Sequence, residues 1–181
     1  NIYDEIEQRG LEYVNLTCPF VEKIHNIVKE HYNKGYQIVI IGDKNHPEVS
    51  GINGWCEESA VVLYADTDEI PQKLEKMPVC IVAQTTINKN IFVQKVQILK
   101  NTCQTPIIFD TICSATKDRQ AEAEELASES DLMLVIGGKK SSNTKKLFEI
   151  SKKHCPDTYF IENFEDIPQN IFLKNKKIGI T

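Results

Sequence analysis

Asp110-Thr111-Ile112-Cys113-Ser114-Ala115-Thr116, followed by Leu132-Met133-Leu134-Val135-Ile136-Gly137-Gly138, decides the fold, because the chain has already run through the same arrangement once. The earlier copy is Leu16-Thr17-Cys18-Pro19 with Gln37-Ile38-Val39-Ile40-Ile41-Gly42. Cys18 to Gly42 and Cys113 to Gly137 both span 24 positions (42 − 18 and 137 − 113), and the two cysteines stand 95 apart (113 − 18). In each copy a Thr lies just upstream of the cysteine, a helix-period segment follows, and an apolar strand then ends in Gly. Solenoid periods are mostly about 20–50 residues. A period of 95 therefore points to duplicated α/β lobes.

Outward from that repeat, strands and helices alternate. A short strand is expected over 12–16 and an amphipathic helix over 20–34, where Val21, Ile24, Ile27, Val28, His31 and Tyr32 recur at helical spacing. Gly35 ends the helix, and the all-apolar run 37–41 reads as a strand buried on both faces. A Gly-bounded loop is expected over 42–54, strands over 61–64 and 79–84 around a weak helix over 68–76, and a helix over 91–100. The second copy is expected as strand 106–110, helix 118–128, strand 132–136, helix 143–154, strand 158–161 and a last strand ending at Thr181. The fold class expected is α/β, two similar lobes with parallel-type sheets flanked by helices. The lobes are placed at 1–104 and 105–181. Asn1 in place of a Met and the strand-like Ile178-Gly179-Ile180-Thr181 suggest that both ends belong to something longer.

Composition limits the functions open to such a chain. Its 181 residues carry 21 basic and 26 acidic side chains, a net charge of −5, with no Lys/Arg cluster long enough to follow a phosphate backbone. Nucleic acid is thereby disfavoured as a partner. No apolar run is long enough to span a bilayer, so a cytoplasmic protein is expected. Six cysteines are many for a reduced compartment, yet too irregularly spaced for a secreted disulfide scaffold.

In open parallel sheets, ligands bind beyond the carboxyl ends of the strands, and the polar segments here fall there. Cys18, with Pro19 at the first helical position, occupies a place that favours negative charge and suits a nucleophile or a metal ligand. Cys113 repeats that setting. Either alone can also be read as an inert buried thiol used as a poor N-cap, but two at equivalent strand ends are less easily dismissed. Gly42-Asp43-Lys44-Asn45-His46-Pro47-Glu48 follows a buried strand and brings an imidazole and a carboxyl to one loop, an anion contact beside a proton donor, or simply a polar surface turn. Ser141 stands 28 after Cys113, as His46 stands 28 after Cys18. Gly137-Gly138-Lys139-Lys140-Ser141-Ser142-Asn143 suits either a phosphate at a helix N-terminus or an ordinary helix cap. Thr85 and Thr86 add hydroxyls at a strand end. Cys56, Cys80, Cys103 and Cys155 read as free thiols, His25, His31 and His154 as structural or solvated, and Trp55 as a packing residue.

Taken together, Thr17-Cys18-Pro19, His46-Pro47-Glu48-Val49, Gln84-Thr85-Thr86, Thr111-Ile112-Cys113-Ser114-Ala115-Thr116 and Ser141-Ser142-Asn143 closely resemble the hydroxymethylbutenyl diphosphate reductases of the non-mevalonate isoprenoid pathway. The resemblance runs over nearly the whole chain in order and spacing. It implies a pseudo-threefold, three-lobe architecture in which this chain supplies the central lobe and most of the last, the first lobe lying outside it. It further implies a 4Fe-4S cluster held by Cys18, Cys113 and a third cysteine expected outside this chain, with one iron open to substrate. Glu48 is then the proton donor, Thr85 lies near the substrate hydroxyl, and His46, Ser141, Ser142 and Asn143 surround the diphosphate. The family's two other pocket histidines belong to the first lobe, and its last pocket serine follows the strand ending at Thr181. The implied reaction is a two-electron reductive dehydroxylation giving isopentenyl and dimethylallyl diphosphates, with ferredoxin or flavodoxin as electron donor. The rival reading from the residues is a non-redox phosphate-binding α/β module with incidental cysteines. A zinc site of Cys18, Cys113 and His46 has the right ligand types but no short-spacing chelate.

Overall fold

The structure, a computed structural model, describes residues 2–64, 69–168 and 177–181. The chain divides into two compact units after Ile112. The first contains helices α1 (Ile2–Gln8), α2 (Pro19–Asn33), α3 (Pro47–Asn53) and α4 (Lys89–Thr102), and strands β1 (Gln37–Ile41), β2 (Val61–Leu63), β3 (Val79–Ala83) and β4 (Ile107–Ile108). These strands form one parallel sheet in the order β2-β1-β3-β4, with Val39 opposite both Val61 and Ile81.

Both faces of that sheet are covered, which is why β1 and β3 are unbroken apolar runs rather than alternating ones. Val39, Ile41, Val79, Ile81 and Ala83 pack with Leu74 and with Phe92 and Leu99 of α4. Ile38, Ile40, Cys80 and Val82 pack on the other face against Ile24 and Val28 of α2 and Val49 and Ile52 of α3. A fully buried side chain of this size contributes about 1.5–3 kcal/mol. The two layers therefore anchor α2, α3 and α4 to the sheet.

The second unit holds α5 (Ser114–Ser128), β5 (Leu132–Ile136), α6 (Ser142–His154), β6 (Thr158–Ile161) and β7 (Ile178–Ile180). Its sheet is parallel in the order β6-β5-β7. The repeat read from spacing is structural: α2 and α5, and β1 and β5, begin and end 95 residues apart, and α3 and α6 begin 95 apart. The order β2-β1-β3 recurs as β6-β5-β7. In both sheets the winding reverses beside the first strand, between β1 and β3 and between β5 and β7. Such a reversal opens a crevice at the carboxyl ends of the two strands.

Four expectations change. The segment 106–110 was expected to open the second lobe, but its strand pairs with β3, Ile108 opposite Ile81, and the Phe109 N–H donates to the Ile81 carbonyl at 2.9 Å. The open edge of β3 captures it, so the division falls after Ile112 rather than after residue 104. The strand expected over 12–16 is irregular, since no strand among the described residues pairs with it; Val14 and Leu16 are exposed. The expected loop 42–54 contains α3, a helix whose Gly51 is a poor helix former but whose Val49 and Ile52 reach the core. The helix expected over 68–76 is a 3-10 turn, Gln72–Lys76, with Asp68 outside the described residues.

Candidate functional site

The two repeated cysteines occupy one backbone setting. Cys18 is the N-cap of α2 at φ −53°, ψ 132°, and Cys113 the N-cap of α5 at φ −59°, ψ 136°. Each carbonyl accepts the first helical N–H, Glu22 to Cys18 and Lys117 to Cys113, both at 3.0 Å. Neither thiol caps its helix and neither forms a disulfide; Cys18 is exposed and Cys113 half-buried. Cys56, Cys80, Cys103 and Cys155 are buried. Burial pushes the Cys80 thiol up to about 12 and raises those of Cys56 and Cys103. Burial thus separates two accessible sulfurs from four inaccessible ones.

At the crevice between β1 and β3, the loop after β1 carries His46 and Glu48 and the loop after β3 carries Thr85. Glu48 receives both donors of Thr85, the backbone N–H at Oε1 (2.7 Å) and the hydroxyl at Oε2 (2.8 Å). His46 is the N-cap of α3, its Nδ1 accepting the Glu48 N–H at 3.2 Å. A neutral ring that accepts at Nδ1 carries its proton on Nε2, which makes His46 a donor there. The structure thus brings His46, Glu48 and Thr85 together.

In the second unit Ser141 takes the place of His46, as N-cap of α6 with Oγ accepting the Thr144 N–H at 3.3 Å. Asn143 stands where Glu48 stands in the first copy, 95 residues on. Its Oδ1 is buried and has no hydrogen-bond partner among the described residues. A buried orphan acceptor costs about 1–3 kcal/mol, and it calls for a partner. Both loops begin at a glycine that lets the following helix close in. A Cβ on Gly42 would lie 2.8 Å from Val49 Cγ2, and one on Gly137 would lie 2.9 Å from Thr144 Cγ2.

Residues 1–181, the whole chain, match the family model described as LytB protein. The chain belongs to the LytB family. It is 48% identical over 184 residues to the 4-hydroxy-3-methylbut-2-enyl diphosphate reductase of Clostridioides difficile (strain 630), covering 100% of this chain and 65% of that protein. To the reductase of the same name from Thermoanaerobacter sp. (strain X514) it is 45% identical, covering 99% and 62%. Among solved structures it resembles the E-1-hydroxy-2-methyl-but-2-enyl-4-diphosphate reductase from Plasmodium falciparum, with a TM-score of 0.84 and 28% identity over 99% of this chain and 57% of the other. A second resemblance is to the structure described as (E)-4-hydroxy-3-methyl-but-2-enyl diphosphate reductase, the terminal enzyme of the non-mevalonate pathway: TM-score 0.60, 37% identity, 99% and 65% covered. The LytB chain thus spans about 62–65% of the length of these curated relatives.

In the LytB chain Lys139 is held within its own unit by two acidic side chains. Its N–H donates to Glu162 Oε1 at 2.8 Å and its Nζ lies 3.3 Å from Asp166 Oδ1. Among the described residues no three His, Cys, Asp or Glu side chains gather into a metal site, and no helix is long and apolar enough to cross a membrane. His31 is structural: Nδ1 lies 2.8 Å from the Ile27 carbonyl and the ring meets Tyr36 and Phe109 edge-on. Trp55 stacks with Tyr3 and His25. Two residues quoted in the motifs, Thr111 and Gln84, have roles that the sequence alone did not assign. The Thr111 hydroxyl accepts the Ala83 N–H at 2.8 Å and donates to the Ala83 carbonyl at 2.6 Å, which fastens the strand before Cys113 to the end of β3. Its signal was the Thr that precedes both cysteines. Gln84 joins the two loops of the first crevice, and nothing in its sequence context announces that.

Proposed function

We propose that this LytB chain forms two lobes of an iron–sulfur reductase that converts 4-hydroxy-3-methylbut-2-enyl diphosphate to isopentenyl and dimethylallyl diphosphates. The observation that carries the proposal is the Glu48–Thr85 pair, a carboxyl held by two donors of one residue beside an imidazole donor, at the strand ends where parallel sheets bind ligands. The names of the relatives favour this reading over a non-redox phosphate-binding module.

The residues present fit a cluster. Cys18 and Cys113 are accessible, unbridged thiols in matched backbone settings, and thiolate sulfur is the ligand such clusters take. A third cysteine would come from outside these 181 residues. When bound, a 4Fe-4S cluster supplies the two electrons singly and a Lewis-acidic iron at the substrate hydroxyl; ferredoxin or flavodoxin would deliver those electrons, in the cytoplasm.

The protein's part is positioning and proton delivery. The reaction consumes two electrons and two protons, breaks the allylic carbon–oxygen bond and releases water. Glu48 protonates the departing oxygen. The Thr85 hydroxyl serves both states of that carboxyl: it donates to Oε2 when Glu48 is ionised and accepts from it when Glu48 carries the proton. His46 through Nε2, Ser141 and Ser142 through their hydroxyls, and Asn143 through its amide hold the diphosphate. Neutral donors of this kind suffice without a basic surface.

The test uses the complete protein. Cys18→Ser or Cys113→Ser should abolish the visible iron–sulfur absorption after anaerobic reconstitution, and a fully assembled four-iron cluster in either variant overturns the ligand assignment. Glu48→Gln should keep cluster and diphosphate binding while turnover collapses; near-normal turnover removes Glu48 from the proton path. Electron paramagnetic resonance of the reduced protein should change on adding the hydroxylated diphosphate.

A further inference from the structure

We propose that Gln84 is a positioning residue that braces the Glu48 loop against the Thr85 loop and so sets the geometry in which Glu48 delivers its proton; the inference rests on the reading of Glu48 given above. Gln84 is 2% exposed and directly follows β3. Its backbone N–H continues the sheet, donating to the Ile41 carbonyl at 2.9 Å. Its side chain bridges in two directions. Oε1 accepts the N–H of Asp43, the second residue after β1, at 3.0 Å, and Nε2 donates to Thr86 Oγ1 at 2.9 Å.

The brace fits a notch. A Cβ on Gly42 would stand 2.9 Å from Gln84 Cβ and 3.1 Å from its Oε1, so the glycine leaves the space the amide occupies. One end of the brace thus holds the root of the loop that carries His46 and Glu48. The other holds the residue after Thr85, whose N–H and hydroxyl grip the Glu48 carboxyl. An amide serves here because one end must accept from a backbone N–H while the other donates to a hydroxyl. Gln84 touches no reacting atom in this scheme. Its effect is on distance, and a misplacement of about 1 Å at a catalytic group can lower the rate about 100-fold.

In the complete reconstituted protein, Gln84→Met keeps length and removes the side-chain bonds to Asp43 and Thr86. It should lower kcat by about 10- to 100-fold with KM within about threefold, unchanged cluster absorption, and loss of hydrogen-exchange protection at the Thr85 N–H while β1 and β3 amides keep theirs. Thr86→Val removes the bond from Gln84 Nε2 and leaves the Asp43 brace, so it should fall between Gln84→Met and the parent in both readouts; if Gln84→Met does not fold, Thr86→Val carries the test. Wild-type kcat in these variants, or lowered stability with kcat and the Thr85 N–H unmoved, overturns the positioning role. Glu48→Gln is made alongside: if it stays fully active, the proton-donor reading fails, whereas the response of the Thr85 N–H to Gln84→Met still reports on the brace itself.

Discussion

Gly42→Ala tests whether α3 is seated on the ends of β1 and β3 as closely as the structure has it. The added Cβ would lie 2.8 Å from Val49 Cγ2 and 2.9 Å from Gln84 Cβ, against ordinary carbon contacts of about 3.5–4.0 Å. Neither neighbour can yield cheaply, because Val49 is buried in the core and Gln84 Cβ is bonded directly to the backbone at the end of β3. Overpacking of this kind costs about 1–3 kcal/mol. For a chain of this size each kcal/mol lowers the melting temperature by roughly 2–4 °C. A loss of about 2 kcal/mol would move a urea midpoint by roughly 1 M, taking m near 2 kcal/mol per M. Trp55, the sole tryptophan, lies just after α3 and reports this unit by fluorescence. Gly51→Ala supplies the opposite sign in the same assay: nothing lies within 4 Å of its added Cβ, and Ala in a helix interior gains roughly 0.5–1 kcal/mol over Gly. If Gly42→Ala is as stable as the parent, or rises as Gly51→Ala does, the close seating of α3 is refuted.

Three further outcomes are expected. Brief alkylation of the folded, cluster-free chain should label Cys18 first and Cys113 next, and leave Cys80, whose thiol burial pushes up to about 12, unmodified until denaturant is added; peptide mass spectrometry reads this, and early labelling of Cys80 would contradict its burial. Glu57 and Glu58 take successive left-handed conformations at φ 53° and 58° in a turn closed by the Ser59 N–H on the Cys56 carbonyl, a shape that favours Asn-Gly. Glu58→Gly should therefore raise stability by roughly 0.5–1 kcal/mol, seen as a higher melting temperature. The N–H groups of Glu162 and Asn163, and then Lys139, hold the Asp166 carboxyl below its ordinary range. A carboxyl lowered on folding contributes stability above its unfolded value of about pH 4, and that contribution fades as pH falls through the lower folded value. The gap in melting temperature between the parent and Asp166→Asn should accordingly narrow below about pH 4, and a gap constant with pH would disprove the linkage.

The sequence by itself determined the repeat. Equal intervals from cysteine to glycine, and equal offsets from Cys18 to His46 and from Cys113 to Ser141, survive folding because a helix and the strand after it have a set rise per residue, so equal spacing in sequence becomes equal spacing in space. The buried strands were legible for a similar reason: Ile38 to Ile41 and Leu132 to Val135 have apolar side chains on both sides of the pleat, which only a sheet covered on both faces requires. Tertiary structure alone decided the rest. Whether residues 107–108 pair forward or back depended on which sheet edge was open, and β3 offered one. Whether 47–53 was loop or helix depended on a core waiting for Val49 and Ile52, since the intrinsic preference of Ser50-Gly51-Ile52-Asn53 runs the other way. The grip of Thr85 on Glu48 and the brace of Gln84 join residues 37 and 41 positions apart. No local pattern encodes such a contact: it arises because the parallel pairing of β1 and β3 carries both strand ends to the same edge of one sheet.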